Sequence, residues 1–194
     1  MLDSSKIQQN LPFIWNTKIH VVFIGFHRYF ELQLQLCQET KLPLFLHCRA
    51  AGKEMLEILQ RHNDLIEAKG VIHSFDGTLE EAQNFIELGY FIGINGCSLK
   101  TEENLKVVKE LPLSHLLIET DAPWCEIRPT HASSKYISTK FDYKIAKKPD
   151  KWVQGGIVKG RNEPCFIKYV HIAVEPRQKS KKLYLTFRHI QIKI

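Results

Sequence analysis

Between about residue 28 and residue 120 the chain alternates helix-spaced and strand-like segments, and this alternation constrains the fold more than any other feature. Tyr29 to Lys41 carries Phe30, Leu34 and Cys37 at helical spacing and ends before Pro43. Leu42-Pro-Leu-Phe-Leu-His47 is a short apolar run with proline at its entrance, where a missing N–H is tolerated. The spacing of Met55, Leu56, Leu59 and Ile66 predicts a helix from about Lys53 to Ala68. Gly70-Val-Ile-His73 reads as a second short strand.

Thr78-Leu-Glu-Glu81 is a capping box, in which the threonine oxygen serves the third residue's N–H and Glu81 reaches back. Its helix runs to Leu88, and Gly89 suits the left-handed position after a helix end. Tyr90 to Asn95 is the third strand. Thr101, Glu102 and Glu103 open another helix with acids at its positive end, and it closes with Lys109 before Pro112. His115 to Thr120 is the fourth strand. Strand and helix repeated with short connections predict parallel βα units in an α/β fold. The strands are apolar on both sides, as expected where helices cover one face and a barrel interior or second layer covers the other.

After Pro123 the alternation stops. Residues 124–163 are polar and aperiodic, with Pro129, Pro149, Gly155, Gly156 and Gly160, and read as a long loop, either functional or poorly ordered. Lys182 to Ile192 alternates and predicts an amphipathic strand. The formal charge of +6 sits entirely in residues 168–194, where seven basic side chains face one acid, Glu175; the remainder is neutral. Basicity is thus a property of the tail and not of the body. Five cysteines without a Cys-x-x-Cys pair argue for reduced thiols, and no apolar run approaches the roughly 18 residues a bilayer span needs. The expectation is an intracellular protein, in nucleus or cytoplasm, with no membrane partner.

Each strand ends in something polar, at the edge where parallel βα folds bind ligands. His47 ends the first strand, His73 the second, and Asp121 follows the fourth with Glu119 two residues earlier on the same side. Imidazoles and carboxylates on separate strands suit a divalent ion. The competing reading keeps the histidines as satisfied structural residues and lets Glu119-Thr-Asp121 cap a turn before Pro123. Cys48, Cys97 and Cys125 lie near strand ends without a repeated local spacing and read as buried thiols. His131 lies in the long loop within potential reach of the strand ends.

Five motifs occur in order: Phe45-Leu-His-Cys-Arg49, His73-Ser-Phe-Asp-Gly77, Tyr90-Phe-Ile-Gly-Ile-Asn-Gly-Cys-Ser98, Ile118-Glu-Thr-Asp-Ala-Pro-Trp124 and Arg161-Asn-Glu-Pro164. Together they resemble the TatD family of metal-dependent deoxyribonucleases, over roughly residues 28 to 165. The resemblance implies a TIM-type (β/α)8 barrel with a divalent metal (Mg, Mn or Zn) at the strand ends, and DNA as substrate. It matches His47, His73 and Asp121 to metal ligands, with Asp121 and Glu119 as the catalytic acids. Arg49 and Arg161 are candidates for meeting phosphates, with ion pairing as the alternative, and Glu163 is assigned a structural role.

Two family features have no counterpart: the ligand motif of the first barrel strand, and a glutamate in a Gly-Glu-x-Gly-Leu-Asp motif ending the fourth. The expectation is therefore a C-terminal half-barrel of about four βα units over residues 26–167, between a divergent segment 1–25 and a divergent basic tail 168–194. A complete barrel takes roughly 250 residues. A half-barrel leaves sheet edges open, which pairing with a second copy would cover. The functional expectation is a metal-dependent nuclease. The alternatives are an inactive truncated isoform or pseudo-enzyme holding nucleic acid through its tail, and an amidohydrolase-like barrel acting on a small ester or amide.

Overall fold

Four short strands rich in Leu, Ile, Val and Phe pair side by side in the order in which they occur along the chain. In the computed structural model, which describes residues 20–138 and 141–175, they are β1 (Leu44–His47), β2 (Gly70–His73), β3 (Phe91–Ile94) and β4 (Leu116–Ile118). All three pairings are parallel and the order is β1-β2-β3-β4. An order that never reverses is the winding of a barrel wall, and the four units form half of a TIM-type wheel. Among the described residues, β1 and β4 each pair on one side only.

Helices α2 (Gly52–Arg61), α3 (Leu79–Glu87) and α4 (Glu102–Glu110) are the crossovers. They bury Ile58 and Leu59, Ala82 and Phe85, and Leu105 and Val108. The sheet supplies Leu46, Ile72, Ile92 and Ile94 to the same core. Burying one such side chain fully is worth about 1.5–3 kcal/mol. Helix α1 (His20–Thr40) adds Leu34 and Cys37, and begins upstream of the predicted Tyr29 because no proline interrupts residues 20–40.

Local chemistry sets the helix ends. Thr78 Oγ1 accepts from Glu81 N at 3.2 Å, and Glu81 Oε2 accepts from Thr78 N at 2.7 Å, as the sequence predicts. Gly89 takes φ +89° just after α3. At α4 the box is completed by Asn104, whose Oδ1 accepts from Thr101 N at 3.2 Å. Helix α2 stops at Arg61, well short of the predicted Ala68. Asn63 and Asp64 favour turns, and Asn63 Oδ1 is engaged by Lys69 Nζ at 2.6 Å; Ile66 is still buried, from the turn.

Residues 124–163 are more structured than predicted. They hold a 3₁₀ segment, Ala132–Tyr136, and a small parallel pair, β5 (Ile145–Ala146) with β6 (Ile157–Val158). Helix α5 (Ile167–Val174) occupies the head of the region read as basic tail. It buries Val170, Ala173 and Val174, an i, i+3, i+4 set that anchors it to the core. The rest of that tail, with the predicted strand at Lys182 to Ile192, and residues 1–19 of the N-terminal segment lie outside the described residues. Among the described residues, no helix is long and apolar enough to cross a membrane.

Candidate metal centre at the strand ends

Register decides which side chains meet. His47 pairs with His73 across β1 and β2, and Ile72 pairs with Ile92, so His73 lies beside Gly93. Alternation then turns His47, His73 and Gly93 away from the helix-covered face, together with Glu119 two residues beyond Leu117. Phe45 stands below them on that face, 69 % exposed, its ring centroid 4.6 Å from that of His73.

His73 is the centre of the group and is buried. Its Nδ1 lies 2.7 Å from Glu119 Oε2, and an ionised carboxylate only accepts, so Nδ1 carries the proton. Glu119 Oε1 accepts from Ser74 N at 2.6 Å. Asn95 Nδ2 donates to Ser74 Oγ, which in turn lies 3.1 Å from His73 Nε2. On its other side Nε2 faces Asp121 Oδ1 at 3.3 Å. With the Nδ1 proton committed to Glu119, an imidazole lone pair confronts a carboxylate oxygen, and either a second ring proton or a cation between them relieves that repulsion.

Gly93 is needed for this geometry. A Cβ there would sit 3.1 Å from Glu119 Cδ and Oε1 and 3.2 Å from the Ile72 carbonyl oxygen. The backbone around the group is held in the left-handed region at several non-glycine residues: Ala50, Ser74, Asp121 and Cys125, with φ between 51° and 54°. Such conformations cost of order 1–3 kcal/mol each and gather where side chains must be aimed. Asn162, buried at 5 %, pins the Asp121 loop by donating from Nδ2 to Thr120 O at 2.8 Å and from its backbone to Pro123 O at 2.9 Å.

The structure brings together His73, Glu119 and Asp121. His47 is exposed alongside, its ring centroid 5.9 Å from that of His73. Arg49 lines a cavity of about 310 Å³ beyond the ends of β1 and β2, with Phe75, Asp76 and Glu81. Arg161 is exposed beyond β6 and is not among the residues lining that cavity. His131 is buried beside the Gly96 backbone. Burial, then Arg128 and Lys100, holds its imidazole below the ordinary histidine range. Glu163 donates from its backbone to Asn162 Oδ1 at 3.1 Å.

Ser74, Asn95, Cys125 and Asn162 are participants that sequence reasoning did not assign. All four lie inside or beside the quoted motifs, and Asn95 ends its strand as His47 and His73 end theirs, which was the available signal. Cys97 Sγ donates to Cys125 Sγ at 2.8 Å, and Cys125 Sγ donates to Asp121 Oδ2 at 3.2 Å. The shared thiol hydrogen bond draws Cys97 below and pushes Cys125 above the ordinary thiol range.

The donors fit a divalent ion in kind. Where a histidine ligates a metal, its other nitrogen usually donates to a carboxylate, which is the His73–Glu119 arrangement, and it leaves Nε2 and Asp121 as the ion-facing atoms. Among the described residues, however, no group of three or more His, Cys, Asp or Glu side chains is arranged to cage an ion by itself.

Comparison with known proteins places the chain. It is 48 % identical over 137 residues to "Deoxyribonuclease Tat-D" of Schizosaccharomyces pombe, covering 71 % of this chain and 44 % of that protein. It is 39 % identical over 93 residues to "Uncharacterized metal-dependent hydrolase YjjV" of Escherichia coli, covering 47 % of this chain and 35 % of that one. The crystal structure of a hydrolase TatD family protein from Entamoeba histolytica superposes with a TM-score of 0.72 at 32 % identity, over 84 % of this chain and 52 % of that chain. The chain thus spans about half the length, or less, of the relatives it matches. The family model for TatD-related DNases matches residues 23–176, and the chain belongs to that family.

Proposed function

We propose that this chain carries part of a metal-dependent nuclease centre that hydrolyses DNA phosphodiester bonds, with His47, His73 and Asp121 contributing donors to a divalent ion that they do not cage by themselves. The observation that carries the reading is His73 held between two carboxylates, Nδ1 2.7 Å from Glu119 Oε2 and Nε2 3.3 Å from Asp121 Oδ1. When bound, a divalent ion such as Mg, Mn or Zn supplies Lewis acidity, acidifying water and drawing negative charge from a phosphodiester. The names of the relatives, a deoxyribonuclease and a metal-dependent hydrolase, support the same substrate and cofactor classes.

The chain's own residues have separable roles. Glu119 fixes the ring orientation and tautomer of His73 through Nδ1, and the Ser74 backbone N–H fixes Glu119 in turn. Asp121 offers Oδ1 toward the ion and takes up at Oδ2 the proton released as water attacks phosphorus. Arg49, in the neighbouring cavity, meets a phosphate of the incoming strand, for which its forked guanidinium is suited.

The test is calorimetric titration of the purified chain with Mn²⁺, alongside cleavage of labelled single- and double-stranded DNA. Binding and cleavage are expected to be abolished by EDTA and by His73→Ala or Asp121→Asn. Cleavage that survives both substitutions refutes the assignment.

A further inference from the structure

Cys97 and Cys125 lie 28 positions apart in different loops, yet their sulfurs are 2.8 Å from each other. Cys97 opens a 3₁₀ turn, Cys97–Leu99, just after β3, and Cys125 follows the Asp121 turn after β4. Both are half-buried and both are free thiols.

Backbone on each side holds them there. A Cβ on Gly96 would lie 2.1 Å from the Cys125 carbonyl oxygen, so the two loops touch main chain to main chain where only glycine fits. Asn95 Oδ1 accepts from Cys97 N at 2.9 Å. The opposite loop is tied by Trp124 N to Asp121 O at 2.8 Å and by Asn162 N to Pro123 O at 2.9 Å. The thiols are therefore presented to each other by fixed main chain. A disulfide needs its sulfurs about 2.0 Å apart, and small χ1 rotations of two unbranched side chains close the remaining distance.

We propose that Cys97 and Cys125 form a redox modification site, closing to a reversible intramolecular disulfide when the chain meets a hydroperoxide. In the first step one sulfur, having lost its proton, attacks a peroxide oxygen. The O–O bond breaks, and the products are a sulfenic acid and, for hydrogen peroxide, one water. In the second step the other sulfur, also deprotonated, attacks the sulfenyl sulfur. The S–O bond breaks as S–S forms, and the departing hydroxide takes a proton to become the second water. Two thiols lose two electrons in all, and one peroxide is reduced to two waters. The Cys125 S–H bond that donates to Asp121 Oδ2 disappears in the process, so oxidation takes a hydrogen-bond donor from that carboxylate. An effect on catalysis would rest on the proposed function, but the disulfide itself does not.

The experiment treats the reduced full chain with hydrogen peroxide, alkylates it, and records its intact mass and cross-linked peptides without reductant. The expected result is a loss of about 2 Da with two fewer alkyl groups, reversed by dithiothreitol. Digestion should yield one peptide pair joined at Cys97 and Cys125. Cys97→Ser and Cys125→Ser should each abolish the cross-link, and the triple variant Cys37→Ser/Cys48→Ser/Cys165→Ser should retain it. Five alkylatable thiols after peroxide treatment, or a cross-link that joins another pair, overturns the proposal. If a serine variant fails to fold, the peptide map of the unsubstituted chain decides alone.

Discussion

Gly93 stands beside His73 in the sheet, and the carboxylate of Glu119 leans across the space its missing side chain leaves. In Gly93→Ala the new Cβ lies 3.1 Å from Glu119 Cδ and Oε1 and 3.2 Å from the Ile72 carbonyl oxygen. Carbon contacts are comfortable at about 3.5–4.0 Å, so something has to yield by roughly 0.4 Å. The Ile72 carbonyl belongs to the ladder of β2 and cannot move cheaply, which leaves the Glu119 side chain. A displacement of that size away from His73 stretches the 2.7 Å contact to Nδ1 to about 3.1 Å, and the 2.6 Å contact from Ser74 N to about 3.0 Å. Both are charge-assisted and worth about 1.5–3 kcal/mol when intact, and part of that is lost. With the strain typical of overpacking, the expected destabilisation is about 1–3 kcal/mol, a fall in Tm of roughly 2–12 °C for a chain of this size.

Two measurements check this reasoning. Urea denaturation gives the stability change, and long-range ¹H–¹⁵N spectra of the His73 ring report which nitrogen carries the proton. The unsubstituted chain should show the Nδ1–H form, and Gly93→Ala should shift it toward a mixture. In a Glu119→Ala background the cost of Gly93→Ala should fall by at least half, because the group it strikes is gone. An equal cost in both backgrounds, with an unchanged His73 spectrum, would refute the claim that Gly93 makes room for Glu119.

Thr78→Ala removes the cap of α3 and should lower stability by about 0.5–2 kcal/mol in chemical denaturation, with Thr101→Ala doing the same at α4. Asn162→Ala releases the Thr120 carbonyl, the side-chain anchor of the Asp121 loop; hydrogen exchange at residues 120–125 should accelerate while the β1–β3 amides stay protected. His131 is buried and favoured in its neutral form, so its contribution to stability is complete above the unfolded histidine pKa of about 6.5. It is lost as pH falls from there toward the lower folded value, and His131→Gln should flatten the Tm profile over that range.

The sequence made one class of information easy to read. A polar residue at the end of an apolar run, such as His47 or His73, is conspicuous in one dimension, because strands are short and their alternation is strict. Capping boxes are equally local, since Thr78 and Glu81 meet within one turn of helix. The 124–163 stretch was opaque because long-range side-chain bonds and ring contacts order it: Tyr169 Oη accepts from Phe141 N at 2.7 Å, and Phe141 and Tyr143 pack on Phe166. Helix α5 was hidden for a different reason. Its buried stripe of Val170, Ala173 and Val174 sits where charge counting beginning at Lys168 drew attention to the tail.

The candidate site divides along the same line. His73, Glu119 and Asp121 were legible because each ends or follows a strand, and the parallel order brings successive strand ends together. What they do to one another was not legible, since it depends on which atom carries a proton. That is set by Glu119, which accepts from Nδ1, while the Ser74 hydroxyl, itself accepting from Asn95, lies 3.1 Å from Nε2. Replacing Glu119 by Gln tests this step. A glutamine whose amide NH₂ faces Nδ1 would draw the proton to Nε2, and the lone pair would then turn away from Asp121. Mn²⁺ affinity should fall by roughly 10–100-fold while the fold persists, the range seen when a partner of a ligating histidine is lost. Unchanged Mn²⁺ affinity in Glu119→Gln would mean that Glu119 does not set the ligating nitrogen of His73.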